Sequence, residues 1–217
     1  MVLVCGIEEA GRGPVIGPMV MCGVLIDEKD ASKLKAIGVK DSKLLTPKQR
    51  EALFPKIKQV IKAHEIIIIF PGKIDQALQS EHLNLNWLEA LTSAEIINKL
   101  KPDKAILDCP STNTKAYSAY VKKNLKKDIE LIAEHKADEK YVVVGAASIL
   151  AKVTRDREIE KIKKKIGVNF GSGYPSDETT KKFLAQNWSR YPAIFRKTWS
   201  SYKRVAEGSK QKGLSDF

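Results

Sequence analysis

Two short apolar runs, separated by a loop that cannot be helical, constrain this chain more than any other feature. Residues 1–9 (MVLVCGIEE) read as a first strand, apolar through Ile7 and closed by two adjacent carboxylates, Glu8 and Glu9. Residues 19–26 (MVMCGVLI) read as a second strand. The link between them, residues 10–18, holds three Gly and two Pro and is therefore a loop. An Arg sits between two of those glycines, in the order Gly11, Arg12, Gly13. Glycines let a backbone approach a sugar or phosphate closely, and Arg supplies charge and hydrogen-bond donors. Carboxylates gather hard divalent cations. Two carboxylates beside such a recess would repel a nucleic acid unless metal lay between them, so the segment points to metal-assisted chemistry on a phosphodiester.

The rest of the chain supports an α/β reading. Residues 29–37 form a short helix. Thr46, Pro47 and Gln49 give an N-cap, a Pro at the first helical position and a capping-box partner, starting a helix over 47–63 with Leu53, Ile57, Val60 and Ile61 on one face. Residues 65–70 (EIIIIF) read as a buried strand. A helix over 84–100 presents Leu88, Leu91, Ile96 and Ile97. Strands follow at 105–109 and 129–134, with a helix around 117–125 between them. Residues 141–166 form a long helix, small and apolar at first and densely charged later, which fits a buried first half and a solvated second half. Helices near 178–188 and 200–206 complete the body. Strands interspersed with helices make an α/β domain. The division expected is 1–187 as the catalytic domain, 188–207 as a helical C-terminal extension and 208–217 as a flexible tail.

Charge narrows the partner. With 38 Lys+Arg against 26 Asp+Glu the net charge is +12, which favours an anionic polymer, although a Lys-rich solvated surface gives the same excess. Cys5, Cys22 and Cys109 are scattered without a CxxC pair, which argues against a disulfide framework or zinc site. No signal-peptide pattern or membrane-length apolar stretch occurs, so a soluble, cytoplasmic protein is expected.

Four acids stand at strand ends or a helix start: Glu8 and Glu9, Asp108, and Asp138 just before the long helix. Functional groups collect at strand ends in α/β sheets. Brought together, four carboxylates can hold two Mg²⁺ or Mn²⁺ ions about 3.5–4 Å apart, a pair that clamps the attacking and leaving oxygens of phosphoryl transfer. Adjacent strand residues point to opposite faces, so Glu8 and Glu9 share a site only where the strand bends or ends.

These residues carry a resemblance. GIEEAGRGPVIGPMV resembles the GxDEAGRGxxxGPxV signature of type 2 ribonucleases H, and the likeness runs on through Asp41-Ser42-Lys43, Asp108, residues 134–138 (EHKAD), residues 146–152 (AASILAK) and residues 171–177 (GSGYPSD). The archaeal ribonuclease HII branch is the most similar. The resemblance implies a ribonuclease H-like fold, with a central mixed sheet of about five strands flanked by helices. It implies an endonuclease that cuts the RNA strand of RNA/DNA hybrids and cuts 5′ of single ribonucleotides in duplex DNA, in ribonucleotide removal, replication and repair. The metal acids would be Glu8, Glu9, Asp108 and Asp138. Gly11, Arg12 and Gly13 would sense the ribose 2′-hydroxyl, which tells RNA from DNA. Tyr174 would stack on the deoxyribose, Lys43 would hold a phosphate, and Ser148 would join the substrate-binding set. A monomer suffices.

One position departs: the family has Asp where this chain has Glu8. A misplacement near 1 Å can lower a rate about 10²-fold. Three readings compete: a working variant with shifted metal preference, a weakened enzyme, or a substitution made to trap substrate; a catalytically weak hybrid-binding module, recruited by the clamp through its tail, is the rival of another class. A Holliday-junction resolvase of the same superfold is a further rival. Other residues have plain readings: Asp41 as a turn cap, His135 as structural, Trp188 and Trp199 as packing, and Lys161 to Lys165 as a solvated face. The tail carries Gln211, Leu214 and Phe217 in a QxxLxxF spacing that resembles a sliding-clamp interaction box, with Asp216 in place of the first aromatic.

Overall fold

The computed structural model describes residues 2–214. One five-stranded mixed sheet has the order β3-β2-β1-β4-β5. Its central strand is β1 (Leu3–Ala10), which pairs antiparallel with β2 (Met19–Asp27), and β2 pairs antiparallel with β3 (Ala63–Ile69). On its other side β1 runs parallel to β4 (Lys104–Asp108), and β4 runs parallel to β5 (Glu130–Glu134). The helices are α1 (Ala31–Ala36), α2 (Pro47–Val60), α3 (Pro71–Gln79), α4 (Leu85–Leu100), α5 (Thr114–Lys123), α6 (Ala137–Lys140), α7 (Val142–Ile166), α8 (Glu178–Asn187) and α9 (Ser200–Leu214). No helix among the described residues is long and apolar enough to cross a membrane.

Strand alternation divides the core. Val4 of β1 and Val20, Cys22 and Val24 of β2 pack on one face beneath the first half of α7, with Leu53 and Ile57 of α2. Cys5 and Ile7 face the other way, onto Ala90, Ala94 and Ile97 of α4 and Tyr117 of α5. Gly6 lies on the α7 face, and a Cβ there would sit 2.5 Å from both the Val143 carbonyl carbon and the Val144 nitrogen. The glycine thus lets helix backbone rest directly on the central strand. A third cluster joins Val15 and Ile16 of the glycine-rich loop to Ile159, Phe170, Phe183, Phe195 and Tyr202, so the C-terminal segment packs onto that loop.

Several local expectations need correction. Residues 63–69 form an edge strand that is half-buried except at Ile69, because β3 has a sheet neighbour on one side only. Helix α3 was not foreseen: Pro71 occupies its first turn, where the missing N–H is harmless, rather than breaking structure. On α4 the buried residues are Glu89, Ala90, Thr92, Ser93, Ala94, Ile96 and Ile97, while Leu88 and Leu91 are half-buried. The last helix continues to Leu214, past the expected end at 206. The capping box of Thr46 and Gln49 forms as read. Phe217 and the side chains of Gln211 and Leu214, the clamp-box residues, lie outside the described residues.

Candidate active site

The sheet opens where its parallel pairing ends. β1 and β4 are last in register at Ile7 and Leu107, while β4 and β5 continue to Asp108 and Glu134. Glu8 and Asp108 therefore project just past the point where two central strands part. The Ala137 N–H donates to Asp108 Oδ1 at 2.9 Å, which fastens the start of α6 to the end of β4 and carries Asp138 to the same place. Glu8, Asp108 and Asp138 each offer a carboxylate oxygen, all within 4.8 Å of one another.

Glu9 reaches the site differently. β1 stays in antiparallel register with β2 through Glu8, Glu9 and Ala10, so no bend turns Glu9 to the face of Glu8. Its N–H donates to Glu8 Oε1 at 3.0 Å, and both residues line one cleft of about 440 Å³ with Asp108 and Asp138. Past Ala10 the chain turns at Gly11, whose φ of +78° is left-handed. A Cβ there would lie 2.9 Å from the Pro18 carbonyl oxygen.

Cations surround the acids. Lys43 Nζ lies 3.4 Å from Asp138 Oδ2. Asp41 caps the turn beneath it by accepting the Lys43 N–H at 2.9 Å, as the sequence suggested. Ser148 is fully buried; its Oγ lies 2.9 Å from Ser42 Oγ and accepts from Lys152 Nζ at 2.7 Å. It joins the Ser42 turn to α7 and orients Lys152, while Ser42 and Lys152 themselves line the cleft. Tyr174 is 40% exposed, with the Arg155 guanidinium 5.5 Å from its ring centre. His135 Nδ1 pairs with the Cys109 carbonyl at 2.9 Å, a structural role.

Some residues of the site were not singled out from the sequence. Arg50 donates to the carbonyls of Ser42 and Leu45 and so holds the turn that carries Lys43. Arg155 donates to the Ser172 carbonyl at 2.8 Å, bracing the loop of Tyr174. Glu89, 1% exposed on α4, accepts from Arg12 Nε at 2.9 Å, and Asn86 accepts from Arg12 at 2.7 Å. The Arg12 side chain is thus turned toward α4. Arg196, fully buried, donates to loop carbonyls. The partners of Glu89 and Arg196 lie far off in sequence, and an isolated Glu or Arg carries no local mark of burial.

Burial, reinforced by neighbouring charge, shifts the protonation of Glu8 and Glu9. Burial, then the charges of Glu9 and Asp108, hold the Glu8 carboxyl well above its ordinary range, against a lowering by Lys152. Glu9 is also raised, by burial and Asp108, with Glu8 and Arg12 opposing. Burial and the charge of Glu9 push Glu89 up to about 8 despite Arg12. Burial alone would lower Lys43, but Asp138 overrides it and raises the ammonium. The donor set is entirely hard oxygen, and Asp138 Oδ1 is buried with no hydrogen-bond partner among the described residues. An orphaned carboxylate oxygen amid two further acids fits a hard divalent cation.

A pH dependence follows. A carboxyl raised in the native state contributes stability below its unfolded pKa, and that contribution is lost as pH rises through the native value. The metal-free protein should therefore lose stability from Glu8 and Glu9 as pH climbs above the ordinary 4.5. Metal needs the ionised acids, so its stabilisation should grow over the same range. In thermal melts at fixed Mn²⁺, the metal-induced rise in Tm is expected to be larger at about pH 8 than at about pH 6. Equal rises at both would contradict this account.

Known proteins share this architecture. The family model described as Ribonuclease HII matches residues 5–202. Ribonuclease HII of Pyrococcus horikoshii is 46% identical over 217 residues, covering 98% of this chain and 96% of that protein. That of Pyrococcus furiosus is 45% identical over 212 residues, covering 95% and 92%. The crystal structure of ribonuclease H2 from Pyrococcus horikoshii superposes with a TM-score of 0.87 over 94% of this chain and 97% of that one. Ribonuclease HII in the PCNA complex from Archaeoglobus fulgidus is 39% identical, with a TM-score of 0.83 over 92% of this chain and 96% of that one. The Mn²⁺ complex of Bst-RNase HIII, at 21% identity and a TM-score of 0.81 over 97% of this chain and 71% of that one, shares the fold.

Proposed function

Since the chain belongs to the ribonuclease HII family, and is thus a divalent-metal-dependent endonuclease acting on RNA/DNA hybrids, we propose that it cuts at ribonucleotides, single ones in duplex DNA included, in the cleft of Glu8, Glu9, Asp108 and Asp138. The observation that carries this reading is the meeting of Glu8, Asp108 and Asp138 within 4.8 Å, with a buried Asp138 oxygen that has no hydrogen-bond partner among the described residues. The acids would hold Mg²⁺ or Mn²⁺, and the Mn²⁺ bound by the structurally similar Bst enzyme supports that ion class. When bound, such ions lower the pKa of water and stabilise charge on a departing oxygen.

The chain's own groups supply the rest. Lys43, kept cationic by Asp138, neutralises a phosphate, and Lys152 adds charge on the α7 side. The Gly11–Gly13 backbone reads the ribose 2′-hydroxyl. Tyr174 is exposed beside the position of a Gly13 Cβ, with its ring carbon 3.4 Å away, so a sugar held on the loop would also meet the ring. Products would carry 5′-phosphate and 3′-hydroxyl ends. The tail residues Gln211, Leu214 and Phe217 would engage a sliding clamp, raising the local concentration of enzyme at DNA. The PCNA complex of the Archaeoglobus relative supports that reading.

Glu8 decides between a working and a weakened enzyme. Its carboxylate oxygen falls within the same 4.8 Å group as the two aspartates, which favours the working variant. The test is cleavage of a DNA duplex holding one ribonucleotide, with Mg²⁺ and then Mn²⁺. The unaltered chain is expected to cut 5′ of the ribonucleotide, with Glu8→Asp within about tenfold of it. A silent parent and an active Glu8→Asp protein would instead mark a hybrid-binding variant.

A further inference from the structure

The glycine-rich loop owes its shape to residues near the other end of the chain. Arg196 is fully buried, yet no carboxylate lies against its guanidinium among the described residues. Its three nitrogens donate to backbone carbonyls instead: Nη2 to Gly11 at 2.5 Å, Nη1 to Arg12 at 2.8 Å and Nε to Gly17 at 3.1 Å. Trp199 Nε1 takes the next carbonyl, Gly13, at 3.1 Å, and its ring lies 4.8 Å from the Arg196 guanidinium carbon. The Arg196 N–H donates to the Val15 carbonyl, and Ile16 bridges to Phe195. Asp75 of α3 fixes the supplier of these donors by accepting the Lys197 and Thr198 N–H groups at 2.8 and 2.9 Å and the Thr198 hydroxyl at 2.6 Å.

The consequence for the cleft is geometric. In a trans peptide the carbonyl of one residue and the N–H of the next point in opposite directions. Drawing the Gly11 and Arg12 carbonyls inward to Arg196 turns the N–H groups of Arg12 and Gly13 outward. Neither of these N–H groups is paired among the described residues, and both residues line the cleft. The side chain of Arg12 is held separately by Glu89 and Asn86, leaving the backbone as the presented surface.

We propose that Arg196, seated by Asp75 and assisted by Trp199, is a positioning residue that aims the loop's N–H donors at the sugar and thereby sets the discrimination of ribose from deoxyribose. This rests on the reading of Gly11–Gly13 as the ribose sensor. The phosphate-facing cations Lys43 and Lys152 are not part of the device, so affinity for duplex as such is separable from it.

The experiment measures Kd for a duplex with one ribonucleotide and for the all-DNA duplex of the same sequence, in Ca²⁺ buffer so that substrate stays uncut. Arg196→Lys keeps the charge but not the forked donors, and Trp199→Phe keeps the ring but not its N–H. The parent should prefer the ribonucleotide. Arg196→Lys should shrink that preference about tenfold and Trp199→Phe about threefold, with all-DNA affinity within about twofold of the parent. A merely structural role would lower Tm and weaken both duplexes alike, leaving the ratio intact, and that result would overturn the assignment. Should Arg196→Lys fail to fold, Trp199→Phe decides by the same ratio. A parent that binds both duplexes equally would instead overturn the underlying reading of the loop.

Discussion

Asp108→Asn and Asp138→Asn are each expected to reduce cleavage more than about 10³-fold while leaving hybrid binding within a few-fold of the parent. Both changes keep the shape of the side chain and remove its charge. Asp108 accepts the Ala137 N–H through Oδ1, a bond that an amide oxygen also makes, so the link from β4 to α6 survives the substitution. Asp138 is 3% exposed; its Oδ1 has no hydrogen-bond partner among the described residues, and the Lys43 ammonium 3.4 Å from its Oδ2 can also donate to an amide oxygen, so the apo fold should survive the change. What both variants lose is one negative oxygen in a group that spans 4.8 Å. The cleft keeps Lys43, Lys152 and Arg155, and its negative potential falls, so a polyanion should still enter. Single-turnover cleavage and fluorescence anisotropy on one labelled duplex separate the two effects. Cutting within about tenfold of the parent in both variants would remove these residues from the chemistry.

Gly6→Ala is expected to destabilise the protein by at least about 2 kcal/mol, in the upper part of the range for overpacking. The added carbon would lie 2.5 Å from the Val143 carbonyl carbon and the Val144 nitrogen, and 2.7 Å from the Val143 oxygen. These are backbone atoms in the first turn of a helix, and no rotamer change moves them aside. Either β1 or the start of α7 must give way. Glu8 lies two residues further along that strand, and Ser148 and Lys152 lie further along that helix, so the same displacement should also lower activity. For a chain of this size the change should lower Tm by about 4–8 °C. A melting temperature within about 1 °C of the parent would mean that strand and helix separate freely, contrary to the packing described.

The sequence disclosed most where chemistry is local. The capping box of Thr46 and Gln49 is written within four residues, and the loop between β1 and β2 announces itself through Gly and Pro. The acids at the ends of β1 and β4 were legible because each closes an apolar run. Their convergence was legible only through family likeness, since the parting of β1 from β4 is a property of the assembled sheet. Residues 65–70 look like a buried strand by length and β-branching, yet β3 lies at an edge and is mostly half-buried, because composition does not reveal how many neighbours a strand has. Residues 71–79 carried no reading from the sequence, yet a helix begins at Pro71. Asp75, Glu89 and Arg196 were hidden for a different reason. Each is a charged residue whose burial is balanced by partners many positions away, and in a chain with net charge +12 one more Arg attracts no notice.

The long reach of Arg196 to Gly11, across 185 positions, also orders events during synthesis. A chain leaving the ribosome N-terminus first can pair β1 with β2 early, since they are neighbours in sequence. The acid group then waits for Asp108 and Asp138, and the glycine-rich loop waits longer still, for Asp75 to meet the turn at residues 197–198 and for the guanidinium beside it. Contacts of such wide separation close slowly and late. A nascent chain would thus assemble its cutting chemistry before the contacts that aim it, and the last of its folding steps would be the one that makes it discriminating.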